Sequence, residues 1–260
     1  MSALSQTLML ARQGVARLCR PPAHSRRFDA QRRLARHWLW AVTLGGVAIV
    51  ALMYLVDAPE IRMMPPRGTA SLWPFRIMTD FGKSIYVLGA LGLCTLLVFL
   101  SSSFATDTVR TRMIDLSRRL GFLFLAVLIP VEAGEVLKGV IGRGRPFVGG
   151  AADAFHYSHF AWTEAYASFP SGHAITAFAL AFALASLAPK WRIAIWAYAG
   201  LIAMTRLILL AHHPSDVLAG ALVGILGAMA VRYWFAARHL IFTIAPDGAI
   251  RVARGSSAGG

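Results

Sequence analysis

The sequence predicts an all-α fold, an integral-membrane bundle of six transmembrane helices. Three observations carry that prediction. Charged residues make up 15% of the 260 positions and hydrophobic residues 57%, whereas a soluble domain carries about 25% charged residues. The mean hydropathy is +0.59. Six apolar stretches follow one another, each near the roughly 20 residues that a helix needs to cross a bilayer. A disordered chain is excluded by the same apolar content. The 26 basic residues against 12 acidic ones give a net charge of +14. Such a charge would suit a nucleic-acid binder, but not at this hydropathy, and no nucleic-acid partner is expected. Loops on the cytoplasmic side of a membrane collect Lys and Arg in this way.

Residues 1–36 form a basic arm. In it Leu4, Leu8, Ala11, Val15 and Leu18 recur at spacings of four and three, with Gln6, Gln13, Arg17 and Arg20 opposite. The pattern reads either as an amphipathic helix on the inner membrane surface, ending at Pro21-Pro22, or as a basic tail. The arm lacks the compact apolar core and cleavage site of a secretory signal, so the first span is expected to stay in the membrane. Cys19 sits in this arm and Cys94 in an apolar run, which argues against a disulfide framework.

The first span is His37 to Val56, free of charge between Arg36 and Asp57. The second is Ser84 to Thr106. The third, Leu120 to Ile141, contains Glu132, Glu135 and Lys138. The fourth is Ser171 to Pro189, the fifth Ile193 to Ala211 with Arg206 near its end, and the sixth Val217 to Ala237. Together, residues 37–237 are read as one membrane domain. A tail, 238–260, follows, in which Pro246-Asp247-Gly248 suggests a small hairpin. With the N-terminus inside, the inner segments hold 18 Lys and Arg and the outer loops 6. That bias places both termini in the cytoplasm.

This topology brings three polar clusters to one face, the outer one. Lys138 begins the first, which runs on to Arg145-Pro146. Pro170-Ser171-Gly172-His173 opens the fourth span. Thr205-Arg206, His212 and Asp216 lie between the fifth and sixth. Charges inside a span are costly and usually functional. Lys138, Arg145 and Arg206 supply three positive charges suited to a dianion. Ser171 and Gly172 stand at a helix N-terminus, where free N–H groups and the helix dipole favour an anion, and Gly172 lets backbone approach closely. His173 and His212 can serve as an acid and a nucleophile near neutral pH. Asp216 can accept from one ring nitrogen of His212 and leave the other free. No carboxylate set for Mg²⁺ and no His/Cys set for zinc appears at this face, so no metal or other cofactor is expected.

Taken together, the three clusters resemble the type-2 phosphatidic acid phosphatase family, the membrane branch of a superfamily that includes the vanadium haloperoxidases. The family's patterns are Lys, six residues, Arg-Pro; Pro-Ser-Gly-His; and Ser-Arg, five residues, His, three residues, Asp. Thr205 is the one departure, standing where Ser is usual, and it keeps the hydroxyl. The motif core covers residues 117–237. The resemblance implies that His212 attacks phosphorus, oriented by Asp216, and that His173 protonates the leaving oxygen. Lys138, Arg145, Arg206, Ser171 and the Gly172 amide would hold the phosphoryl oxygens. It implies a metal-independent phosphatase of a lipid phosphomonoester or diphosphate, such as phosphatidic acid, phosphatidylglycerophosphate or undecaprenyl diphosphate, in a bacterial inner membrane with its site outside.

Two other readings share these residues. A lipid phosphotransferase would use the same phosphohistidine, and an anion channel or transporter would use the buried cations alone. Arg143 either touches the substrate or faces water. Lys83 reads as a boundary residue, with reach to a lipid phosphate as the alternative. His156, His159, Trp162 and Tyr166 read as loop packing, with a place at the substrate mouth as the alternative. Glu135 is expected to pair with Lys138 or Arg206.

Overall fold

The computed structural model describes residues 3–146, 148–149 and 152–253. The tail from 254 to 260, the end of the expected 238–260 segment, lies outside the described residues. Among those described, helices α1 (Ala3–Cys19), α2 (Arg27–Leu55), α3 (Asp57–Met63), α4 (Trp73–Asp80), α5 (Ser84–Ser101), α6 (Asp107–Ile141), α7 (Gly172–Leu187), α8 (Arg192–Ile208) and α9 (Pro214–Ala237) are followed by strands β1 (Phe242–Ile244) and β2 (Ile250–Val252). The strands pair antiparallel, Phe242 opposite Val252.

A helix stands at each of the six apolar stretches. Four stretches are long and apolar enough to cross a bilayer: Arg27–Leu55, Ala70–Phe104, Asp107–Ile141 and Pro214–Ala237. The other two are shorter. α7 has 16 residues and α8 has 17, about 25 Å of helix at 1.5 Å per residue, against a hydrocarbon core of about 30 Å. The apolar surface agrees with a bilayer around the bundle. α5 buries no residue at all and exposes Ile85, Leu93, Leu96, Leu97 and Leu100, far more apolar surface than water tolerates in one patch.

The bundle centre is α6, α7 and α9, with α2, α5 and α8 around it. Lipid tails are as apolar as leucine, so helices in a membrane associate through close packing at small residues. α7 buries Ala174, Ala177, Ala179, Ala181 and Ala183, and α9 buries Ala219, Gly220, Ala221, Gly224 and Ala228. A Cβ on Gly220 would lie 2.5 Å from the Ser171 carbonyl oxygen, and one on Gly224 would lie 2.5 Å from that of Ile175. These two glycines set the spacing between α7 and α9, and with it the distance between their N-terminal ends. Larger side chains fill one end of the bundle, where Phe122 meets Phe235 and Phe242 edge to face.

α6 ends at Gly142 in the left-handed region (φ 59°), its N–H donating to the Lys138 carbonyl. The chain then leaves as a loop that folds back on residues 142–145. The Ser158 N–H donates to the Gly142 carbonyl at 2.7 Å, the Gly144 N–H to that of His156 at 2.8 Å, and the Arg145 N–H to that of Ala165 at 2.9 Å. These bonds fix the first motif against the rest of the loop.

α1 forms as a helix, and Ala11 and Leu18 of the apolar stripe lie on its partly buried side. Leu8 and Val15 are exposed, while Leu10 and Leu18 turn toward the bundle. Thr7 meets Ser103 beside α5, and Leu18 packs on the core near Phe235. These contacts hold α1 against the bundle.

Candidate active site

A cavity of about 470 Å³ opens where α4, α6, α7 and α8 converge, and the three motifs meet in it. Lys138 and Arg145 line it from the first, Gly172 and His173 from the second, Arg206 and His212 from the third. Ser171 lies just behind, fully buried, its Oγ without a hydrogen-bond partner among the described residues. Asp216, also fully buried, stands behind His212.

Each cation is held by a neighbour. Lys138 Nζ pairs with Glu135 Oε1 at 2.5 Å, one of the two partners expected for Glu135. Arg145 Nη2 pairs with Glu164 Oε1 at 2.9 Å, and its Nε donates to the Glu164 carbonyl. Arg206 is 8% exposed, and its Nη1 donates to Thr79 Oγ1 at 2.6 Å. Thr79 and Arg76 come from α4, as does Asp80, which pairs with Lys83 at 2.8 Å on the cavity rim. Lys83 is therefore part of the cavity wall, where the sequence suggested a boundary role.

α7 begins at the cavity with Ser171 as its N-cap, so its first free N–H groups and its dipole favour an anion in the cavity that the cations line. A Cβ on Gly172 would sit 2.9 Å from Lys138 Nζ. Gly172→Ala is expected to push the ammonium aside and lower kcat/KM by about tenfold to a hundredfold, the loss of one charge-assisted hydrogen bond. Phosphate-release kinetics beside a melting curve check this; unchanged kinetics would remove Lys138 from the cradle.

The orientation of His212 differs from expectation. Its Nδ1 lies 4.0 Å from Asp216 Oδ2 and instead donates to the Ser168 carbonyl at 2.8 Å. Asp216 Oδ2 accepts from Ser168 Oγ at 2.6 Å and from the His213 N–H at 2.9 Å. The carboxylate thus acts on the imidazole through Ser168. Ser168 was not singled out in the sequence, since a loop carbonyl leaves no trace in residue type. Burial, followed by the Arg206 and Arg145 charges, holds the His212 imidazole well below its ordinary pKa. It is neutral at physiological pH, with Nδ1 protonated toward Ser168 and the Nε2 lone pair free.

Arg143 neither touches the cavity nor faces water. It is completely buried and joins two buried carboxylates, Asp216 Oδ1 at 2.5 Å and Asp57 Oδ2 at 2.8 Å. It also donates to the Ala154 carbonyl and to Ser215 Oγ. Asp57 comes from the start of α3, outside all three motifs, and also accepts from the Ser215 N–H at 3.0 Å. One turn on, Glu60 is 7% exposed, and its carboxylate oxygens have no hydrogen-bond partner among the described residues. Burial, then Asp57 and Asp216, push its carboxyl up to about 7. A carboxyl raised on folding costs stability as pH rises from its unfolded value toward its folded one. Wild-type protein is therefore expected to lose up to about 3 kcal/mol between pH 4.5 and 7 from this group. In Glu60→Gln that component should vanish. Melting curves of both proteins across this range provide the check, and parallel curves would refute it.

Around the mouth, His156 stacks on Tyr166 and His159 bonds the Ile141 carbonyl at 2.7 Å. Both are loop packing. Trp162 instead lies over Gly139 and lines an adjoining cavity that shares Glu135, Lys138, Arg145 and Glu164 with the first. His213 is fully buried and caps α9.

Fold and cavity together define a class: helical membrane proteins with a cationic, histidine-bearing pocket set among helix ends. The chain belongs to the PAP2 superfamily, whose family model matches residues 119–240. It is 32% identical to a lipid A 1-phosphatase of Rhizobium johnstonii over 206 residues, 77% of this chain and 82% of that protein. It is also 32% identical to a lipid A 1-phosphatase of Rhizobium etli over 218 residues, 80% of this chain and 88% of that one. A bacitracin transport permease protein, BcrC of Bacillus licheniformis, is 27% identical over 171 residues, 62% of this chain and 78% of that protein. No solved structure matches.

Proposed function

We propose that the protein is a membrane lipid phosphatase, that it removes a phosphate monoester from a lipid headgroup, and that a lipid A 1-phosphate is the first substrate to test. The observation that carries this reading is the pairing of a locked, neutral His212 with three cations in one cavity. The relatives named for lipid A direct the substrate choice beyond phosphatidic acid, phosphatidylglycerophosphate and undecaprenyl diphosphate. An anion channel would need the cations but has no use for a histidine held with one nitrogen free.

In the proposed reaction, His212 Nε2 attacks phosphorus and the bond from phosphorus to the lipid oxygen breaks. The departing oxygen takes a proton from His173, which can hold one once the phosphate dianion lies beside it. Lys138, Arg145, Arg206, Ser171 Oγ and the Gly172 N–H hold the three outer oxygens, where charge grows in the transition state. Water then attacks the phosphohistidine, His173 takes its proton, and the phosphorus–nitrogen bond breaks. No metal is required in this scheme, because the cations and the helix end supply the positive charge.

The proposed topology has six crossings, both termini in the cytoplasm and the cavity at the outer face of a bacterial inner membrane. The excess of Lys and Arg in the inner segments supports it. The shortness of α7 and α8 is compatible with crossing, because their outer ends stop at a cavity recessed into the bilayer. The arm 1–36, the domain 37–237 and the tail from 238 divide the chain accordingly.

The test is phosphate release by purified protein from each of the four lipid phosphates, with and without EDTA. We expect release from lipid A 1-phosphate in excess EDTA. Absence of release from all four would overturn the phosphatase reading, and recovery of phosphate on a second lipid would convert it to a phosphotransferase. The same assay with an impermeant substrate on intact spheroplasts tests the side: activity only after lysis would place the cavity inside.

A further inference from the structure

A second pair of cavities lies at the far end of the bundle. An apolar cleft of about 360 Å³ runs between α1, α5 and α6, with Leu10, Leu18, Phe99, Ile114, Leu125 and Phe235 in its walls. Its mouth is basic. Arg17 and Arg118 belong both to the cleft and to an adjoining cavity of about 160 Å³, where Arg20, Arg238 and His239 join them. No carboxylate lines either cavity. Asp115 on α6 pairs with Arg119 at 2.8 Å and acts on Arg118 only through the longer-range attraction of its charge. Among the described residues none of the four arginines makes an ion pair. Arg238 is 8% exposed and stacks on Trp234 at 3.8 Å, and its buried Nε has no hydrogen-bond partner among those residues. Arg20 donates to the Arg238 carbonyl, which holds the end of the arm against the end of α9.

Arg17 and Arg118 repel each other across the cleft mouth with only Asp115 acting against them, and an anion among the four arginines would be held by charge-assisted hydrogen bonds. The anion must also come with an apolar tail, because the basic cavity opens into the cleft. Position along the membrane agrees. Arg118 precedes Lys138 by twenty residues of α6, about 30 Å of helix, which is the thickness of the hydrocarbon core. The arginines therefore lie at the headgroup level of the leaflet opposite the candidate active site.

We propose that this is a binding site for an anionic phospholipid, with its phosphate among Arg17, Arg20, Arg118 and Arg238 and one acyl chain in the cleft. The bound lipid fastens α1 to α6 and to the end of α9. The site is separate from the catalytic cavity and does not depend on the reaction assigned to it.

The test uses the full-length protein, delipidated in detergent. Phosphatidylglycerol, phosphatidylcholine and inorganic phosphate are each titrated, with native mass spectrometry and melting temperature as readouts. Phosphatidylglycerol should bind and raise the melting temperature; phosphatidylcholine and inorganic phosphate should not. Arg17→Gln with Arg118→Gln should weaken the phosphatidylglycerol response by roughly thirtyfold, the loss expected of two arginines near an anionic headgroup. Gly121→Leu keeps every arginine but fills the cleft, since a Cβ there meets nothing within 4 Å, and it should weaken the response as well. Arg206→Ala, at the other end of the bundle, should leave it intact. Equal responses to phosphatidylcholine, full effect from inorganic phosphate, or an unaltered response in the double variant would overturn the proposal. So would loss of the response in Arg206→Ala.

Discussion

His212→Ala is expected to abolish phosphate release from every substrate, by about 10⁴-fold or more, the scale on which removal of a nucleophile acts. Of the two histidines lining the cavity, His212 has its Nδ1 fixed on the Ser168 carbonyl, whereas the buried Nε2 of His173 has no hydrogen-bond partner among the described residues. The loss should appear with every leaving group, because in the proposed scheme each substrate has to pass through the same phosphorus–nitrogen bond. His173→Ala should behave differently. General acid catalysis contributes about 10²–10⁴-fold, and most where the departing oxygen is a poor leaving group. An aryl phosphate, whose phenolate leaves readily, should therefore lose much less activity in His173→Ala than a lipid phosphate does. Kinetics of both variants on both substrates, with trapping of labelled enzyme, make the separation. Residual phosphoenzyme in His212→Ala would mean that the nucleophile lies elsewhere. Equal losses for both substrates in His173→Ala would make His173 a phosphate-binding residue.

The residues of this cavity were legible in the sequence because they are polar groups where hydropathy forbids them. Lys138 and Arg206 interrupt apolar stretches, His173 stands at the start of the fourth and His212 just past the end of the fifth. The helices were legible for the same reason: each apolar stretch is interrupted by a loop rich in turn residues or charge. Less was legible where geometry, not composition, decides. The hydrogen bond of His212 goes to a backbone carbonyl, which any residue at position 168 could offer. Thr79 and Lys83 reach the cavity only because α4 packs across the end of α8. The apolar runs marked α7 and α8 as helices, but at 16 and 17 residues they fall short of the length that hydropathy alone takes for a crossing. Arg143 was the sharpest failure. Two residues from Arg145, with the same side chain and a similar loop setting, it turns inward to Asp57 and Asp216 while Arg145 lines the cavity. The available signal was Asp57, a carboxylate at the very end of the first span, which reads equally well as a boundary.

Arg143→Lys should separate positioning from binding. A continuous chain of contacts runs from Asp57 through Arg143 and Asp216 to Ser168, and from the Ser168 carbonyl to His212 Nδ1. Arg143 holds both carboxylates with a planar fork and still satisfies the Ala154 carbonyl and Ser215 Oγ. Lysine keeps the charge but offers one ammonium in place of the fork, so it cannot face Asp57 and Asp216 together with the same geometry. Arg143→Ala would leave two fully buried carboxylates unpaired, a loss of about 3–5 kcal/mol that is expected to prevent folding at ordinary temperatures. Arg143→Lys avoids that collapse and should fold with a lowered melting temperature. Its kcat should fall by about 10–100-fold, because a base or nucleophile out of line by a fraction of an ångström loses much of its advantage. KM should stay within a few-fold, since in the proposed scheme the phosphate is held by Lys138, Arg145 and Arg206, which line the cavity, and not by Arg143, which does not. Asp57→Asn acts on the same chain from its far end and should show the same division, kcat down and KM nearly unchanged. A melting temperature lowered in both variants with kcat intact would mean that the buried ions serve only the fold. A raised KM with kcat intact would place Arg143 in substrate binding, against its complete burial.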